Sequence, residues 1–261
     1  MNPAGKTVII TGASAGIGAA TAHAFAAAGA RLVLVARDPH RLQQLVDHIP
    51  GMPLPIAADL ADPAAPLLIA ERSVASFGRI DIVIHNAGVG LAAPIATLNP
   101  SDLTAALAVN LFAPLTLTQA VLPHMQPRGQ LIFISSVVGL RALPFAGGYA
   151  ASKAALDRIV EALRVELLGS GVAVTLVRPG TTSTGFNMRR LGANRDRRRI
   201  TPRGVPPERV AQAILRAANR EPREVYVTLG DRLITMAALL APGLIDQVLR
   251  RIFVWEDPPV L

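Results

Sequence analysis

The chain has 261 residues, no cysteine and only 4% aromatic residues. Those figures exclude a disulfide scaffold, a thiolate nucleophile and a cysteine zinc site, and they disfavour a base-stacking nucleic-acid platform. The formal charge is +8, but the stretch from Arg178 to Arg203 holds eight arginines and one acid, so the rest is nearly neutral and no nucleic-acid partner is expected.

In chain order, apolar β runs alternate with helical patterns. Thr7–Ile10 reads as a strand, Ile17–Ala28 as a helix closed by Gly29, and Leu32–Ala36 as a second strand. Arg41–His48 is helical, Pro53–Ala57 extended, Ala64–Phe77 a helix closed by Gly78, and Asp81–His85 a strand. Ser101–Leu122 is a long helix with Ser101 as its expected N-cap and a kink expected at Pro114. Gln130–Ser135, helix Tyr149–Leu168 and strand Val172–Val177 follow. Strands that are continuously Val/Ile/Leu and separated by helices specify a parallel sheet covered on both faces: an α/β, Rossmann-like, doubly wound fold. Residues 1–230 read as one domain. Within it, Phe186–Pro207 is an Arg-rich substrate loop expected to be long and mobile. Pro207–Asn219 is a helix and Glu224–Val227 an edge strand. Residues 231–261 form an apolar helical tail. The opening apolar run is too short for a signal peptide and no stretch reaches bilayer length, which points to a cytoplasmic protein, with peripheral membrane contact through the tail as an open question.

The turn after the first strand reads Thr11-Gly12-Ala13-Ser14-Ala15-Gly16-Ile17-Gly18. Gly12 permits the tight turn, Gly16 lets the backbone approach a pyrophosphate, and Gly18 lets the helix pack closely. The helix N-terminus then offers N–H groups and positive potential to phosphates. After the second strand comes Arg37, whose guanidinium suits a ribose 2′-phosphate, while Ala36 leaves no acid for a ribose diol. Asp38 is the competing signal. NADP (as NADPH) is therefore favoured, with NAD as the alternative.

Tyr149 and Lys153 stand at i and i+4, one face of a helix. An adjacent ammonium brings a phenol closer to a useful pKa. Tyr149 is one of two tyrosines, and Lys153 one of two lysines in a chain that otherwise uses arginine.

The glycine spacing, with Asp59-Leu60, His85-Asn86-Ala87-Gly88, Asn110, Ser136, Tyr149-x-x-x-Lys153 and Pro179-Gly180, resembles the short-chain dehydrogenase/reductase family over about residues 5 to 185. The resemblance implies Ser136, Tyr149, Lys153 and Asn110 as the catalytic set, with Ser135 as the fallback serine. Ser136 orients the substrate oxygen, Tyr149 is the general acid/base, and Asn110 holds a relay water. It implies Gly12, Ser14, Gly16, Ile17, Gly18, Arg37, Asp59, Leu60, Asn86, Ala87, Gly88, Tyr149, Lys153, Pro179, Gly180, Thr182 and Thr184 at the dinucleotide, no metal, and a homodimer or homotetramer. His85 departs from the usual Asn or Ala and reads as structural. Ala15 stands where many NADP users carry a basic residue.

The implied reaction is hydride transfer between the nicotinamide and a small hydrophobic carbonyl or secondary alcohol, with Val138–Phe145 as an apolar wall. Alternatives are a non-catalytic NADP redox sensor, a membrane-peripheral lipid-ketone reductase, or an epimerase or dehydratase on the same scaffold. Arg189, Arg190, Arg195 and Arg197–Arg199 read as a solvated lid, or as a means of capturing an acidic group.

Overall fold

The computed structural model describes residues 1–192 and 203–253. Seven parallel strands form one sheet in the order β3-β2-β1-β4-β6-β7-β9. They are β1 (Thr7–Thr11), β2 (Arg31–Ala36), β3 (Leu54–Ala57), β4 (Ile82–His85), β6 (Gly129–Ile134), β7 (Val172–Arg178) and β9 (Glu224–Tyr226). The order reverses between β1 and β4, and ligands of such sheets bind outside the strand ends at that point. A two-residue strand, β5 (Leu91–Ala92), pairs in parallel with β8 (Leu191–Gly192).

The strand alternation divides the core. Val8 and Ile10 of β1 face α1 (Gly16–Ala27), α2 (Pro39–Val46) and α7 (Pro207–Arg220), where Phe25, Leu42 and Ile214 are buried. Ile9 faces the opposite layer, formed by α3 (Ala65–Phe77), α5 (Ala113–Val121) and α6 (Gly147–Glu166) through Ile69, Leu117 and Val160. A period of two thus feeds both layers, so every central strand is apolar on both faces.

Two expectations for the long central helix need correction. The N-cap of α4 (Pro100–Leu107) is Asn99, whose side chain accepts from the Ser101 N–H; Ser101 lies inside the first turn. The irregularity is a π turn at Ala108–Phe112, and Pro114 sits in the first turn of α5, where its missing N–H costs little.

The tail comprises α8 (Leu229–Leu240) and α9 (Pro242–Ile252), bent by 117° at Ala241. Of the expected substrate loop, residues 193–202 lie outside the described residues, as do 254–261 of the tail; the described flank carries a 3₁₀ turn, Asn187–Arg189, and β8.

Candidate active site

The glycine turn leaves β1 with Gly12 at φ +65° and enters α1 with Gly16 at φ +56°, in the left-handed region open to glycine. Gly18 is held by contact rather than by φ: a Cβ there would lie 2.1 Å from the Gly12 carbonyl oxygen. Ala15, the N-cap, has no side chain to cap with, so the first-turn N–H groups of α1 are left for an external acceptor. The turn is fastened to β4 by Asn86, whose Nδ2 donates to the Thr11 carbonyl at 2.8 Å, while the Asn86 and Ala87 N–H groups donate to Thr11 Oγ1 at 3.0 Å each. Asn86 therefore acts on the turn itself. Ser14 and Ile17 stay half-buried around it, and Thr184 packs its methyl over Gly16.

Beyond β2, Arg37 is exposed and has no acidic partner among the described residues, whereas Asp38 caps α2 by accepting from the His40 and Arg41 N–H groups. The competing carboxylate is thus engaged in local structure. Asp59 accepts from the Ala61 N–H, and Leu60 packs on the core layer under β3.

Helix α6 carries Tyr149 and Lys153 to the ends of β4 and β6. The Lys153 Nζ donates to the Ile134 carbonyl at 2.9 Å, and a Cβ at Gly88 would lie 3.6 Å from that Nζ and 3.2 Å from Asn110 Oδ1. The bare Gly88 is what lets these two residues approach. Burial pulls Lys153 down to about 8, and the nearby Asp157 charge opposes that fall. Burial pushes the half-buried Tyr149 phenol up; a hydrogen bond with Ser136 counteracts this, while the charge of Asp157 adds to it.

Ser136 caps the 3₁₀ turn Val137–Gly139 and lies on the Tyr149 side. Ser135 faces the other way and donates to Asp157 at 2.5 Å. The geometry selects the first serine for Tyr149. Asn110 sits in the π turn, a deformation common at functional sites. Both of its amide hydrogens are used: it donates to the Val89 carbonyl and to Ser152 Oγ at 2.9 Å each, and its oxygen accepts from the Val89 N–H at 2.8 Å.

The Pro179-Gly180 turn lies across from Ser136, with the Val137 N–H donating to the Pro179 carbonyl at 3.2 Å. Gly180 is packed by the Asp231 carboxylate from α8, and Thr182 bridges to Val205. Phe186, read from sequence only as the start of the substrate loop, has its ring centroid 5.8 Å from that of Tyr149. The tail reaches the same wall: Arg141 pairs with Asp246 of α9, and the Phe145 and Phe253 rings are 6.0 Å apart.

A profile of the short chain dehydrogenase family matches residues 6–194. The chain is 35% identical over 260 residues to the Bos taurus protein "Dehydrogenase/reductase SDR family member 7B", covering 93% of this chain and 79% of the relative. The chain belongs to the short-chain dehydrogenase/reductase family. It is thus an oxidoreductase of CH–OH and C=O groups with a Rossmann fold. Solved relatives include a metagenomic short-chain oxidoreductase in complex with NADP, at 33% identity and TM-score 0.73, covering 88% of this chain and 100% of that one. A Burkholderia cenocepacia short chain dehydrogenase in complex with NADP shares 26% identity at TM-score 0.82, with 95% of this chain and 99% of that one aligned. A Burkholderia phymatum member in complex with NAD, 22% identical at TM-score 0.84 over the full length of both chains, has the same fold.

Proposed function

We propose that the protein reduces a small hydrophobic ketone or aldehyde with NADPH, or oxidises the matching secondary alcohol, with Tyr149 as the general acid/base. The observation that carries this reading is the convergence of Ser136, Tyr149 and Lys153 at the sheet's carboxyl edge, beside an uncapped helix N-terminus. The residues fit a dinucleotide. Gly12–Gly18 and the first turn of α1 would hold the pyrophosphate, Arg37 the 2′-phosphate, and Lys153 the nicotinamide ribose. The bound nicotinamide supplies or accepts the hydride.

The chain's own groups do the rest. Ser136 orients the substrate oxygen beside the phenol and stabilises developing charge. Tyr149 is protonated in its buried setting, so it gives its proton to the oxygen during reduction. Lys153 is an ammonium below about pH 8, and its charge favours the phenolate left behind. The two Asn110 amide hydrogens are spent on Val89 and Ser152, so a relay water would be held by its Oδ1, which keeps a second lone pair, or by the backbone of the π turn. Phe186, Leu143 and Phe145 give the pocket apolar walls and keep water from the reacting oxygen. Reductive kcat/KM is expected to fall as pH rises through about 8, following Lys153. A panel of carbonyl compounds assayed by NADPH and NADH absorbance tests the reading: turnover with NADPH supports it, and none across apolar ketones and aldehydes overturns it.

The redox-sensor reading loses ground because the Ser136–Tyr149–Lys153 set is complete. Lipid contact through the tail is favoured by one observation, the outward Leu233, Ile234, Leu240 and Leu244 of α8 and α9. Flotation with anionic liposomes, for the intact chain and for one ending at Gly230, tests it; equal flotation removes it.

A further inference from the structure

The stripe of α6 that carries Tyr149 and Lys153 continues one turn further to Asp157. This carboxylate is fully buried, although it is named by none of the motifs. A buried carboxylate needs partners. Both of its oxygens have one: Ser135 donates to Oδ1 at 2.5 Å, and Arg178 Nη1 approaches Oδ2 at 2.5 Å. Arg178 comes from the end of β7, is itself buried, and is tied on its other side to Glu224 of β9. Burial pushes Asp157 above the ordinary carboxylate range, while hydrogen bonds from Arg178 and Ser135 and the charges of Arg178 and Lys153 pull it back; a guanidinium does not give up its proton, so the clamp favours the ionised form. The clamp also touches the segment bearing Ser136: a Cβ at Gly139 would come within 2.7 Å of Asp157 Oδ2.

Asp157 is faced by Tyr149 and Lys153 from α6, by the neutral Ser135 from β6 and by Arg178 from β7, with Glu224 and Tyr226 of β9 behind. Arg178 is neutralised by two carboxylates, whereas Lys153 donates to a backbone carbonyl and, among the described residues, has no ion pair of its own. We propose that Asp157 is a positioning residue for the Tyr149–Lys153 pair. Clamped by Ser135 and Arg178, its fixed negative charge holds the buried Lys153 side chain as an ammonium where the site uses it. The same charge keeps the phenol protonated, so one carboxylate sets both groups in the acid form suited to reduction. The inference rests on the catalytic reading of Tyr149 and Lys153, but its test does not need turnover.

The chain has two lysines, Lys6 and Lys153. Isotopically labelled lysine therefore gives two side-chain NMR signals, and a Lys6→Arg background leaves that of Lys153 alone. In that background Lys153 is expected to titrate near 8. Asp157→Asn should lower the midpoint by about one pH unit or more, and Asp157→Glu should restore most of it. If Asp157→Asn does not fold because Arg178 is left unpaired, the double variant Asp157→Asn/Arg178→Gln replaces the ion pair by amides and should shift the midpoint in the same direction. A Lys153 midpoint unchanged in whichever variant folds overturns the proposal. A failure of the catalytic reading would look different: the parent would show no turnover, or Tyr149→Phe would react as fast as the parent, whatever the lysine signal does.

Discussion

The strand ends at β1, β4 and β6 and the tail of α8 and α9 are built on opposite terms. At the strand ends nearly every polar group is committed: Asn86 to Thr11, Asn110 to Val89 and Ser152, Ser135 to Asp157, Lys153 to Ile134. In the tail, Ala238 and Thr235 turn inward while Leu240 and Ile234 are 80% and 69% exposed. The contrast teaches where each region's constraint comes from. On the proposed function the first must hold a charged cofactor and a proton donor to fractions of an ångström. The second meets the site at a few contacts, Asp231 on Gly180 and Asp246 on Arg141, and is otherwise free to present apolar surface.

The contrast breaks most readily at the glycine turn. Gly18→Ala would drive a methyl into the Gly12 carbonyl, and we expect dinucleotide affinity to fall at least ~10-fold with about 1–3 kcal/mol of stability. Fluorescence titration with NADPH and urea unfolding measure both; an unaffected variant would mean the turn is not tight. Arg37→Ser should raise the KM for NADPH by roughly 10-fold or more while leaving that for NADH little changed, since a charge-assisted hydrogen bond contributes about 1.5–3 kcal/mol. Equal effects on the two cofactors would remove Arg37 from the 2′-phosphate.

In the tail the expected effects depend on direction. Ala238→Leu overpacks an inward position and should cost about 1–3 kcal/mol. Ile234→Lys, on the outward face, should change stability by less than about 0.5 kcal/mol. Urea midpoints decide, and similar losses would show the outer face to be covered.

The last effect appears only in acid. His85 is buried, stacked 4.4 Å from the Phe133 ring, with Thr118 Oγ1 at 3.2 Å from its Nε2. Burial lowers its pKa from 6.5 to about 3. The unfolded chain therefore takes up a proton that the folded chain refuses, and stability contributed above about 6.5 is lost as pH falls toward 3. His85→Asn should flatten that part of the profile; an identical slope would mean that another group sets it.

The sheet was legible because apolar runs bounded by Gly and polar residues admit few other readings, and the strands fell within a residue or so of their observed limits. The four residues proposed as the catalytic set came from a resemblance carried by spacing. What escaped is set by tertiary contact. Asn99 outcompeted Ser101 for the cap because its side chain reaches the Ser101 N–H. Asn110, carried by the π turn, bonds to Val89 across the cleft, a partner that no local pattern encodes. Asp157 had a local signal, the i+8 continuation of the Tyr149–Lys153 stripe, but its clamp comes from Ser135 and Arg178 on separate strands.

The central claim is that a single phenol moves the proton while other groups bind the dinucleotide. Tyr149→Phe isolates it. With an active carbonyl substrate in hand, turnover should fall by about 10²–10⁴-fold while the NADPH dissociation constant stays within a few-fold of the parent's. A variant that turns over at the parental rate would contradict the account.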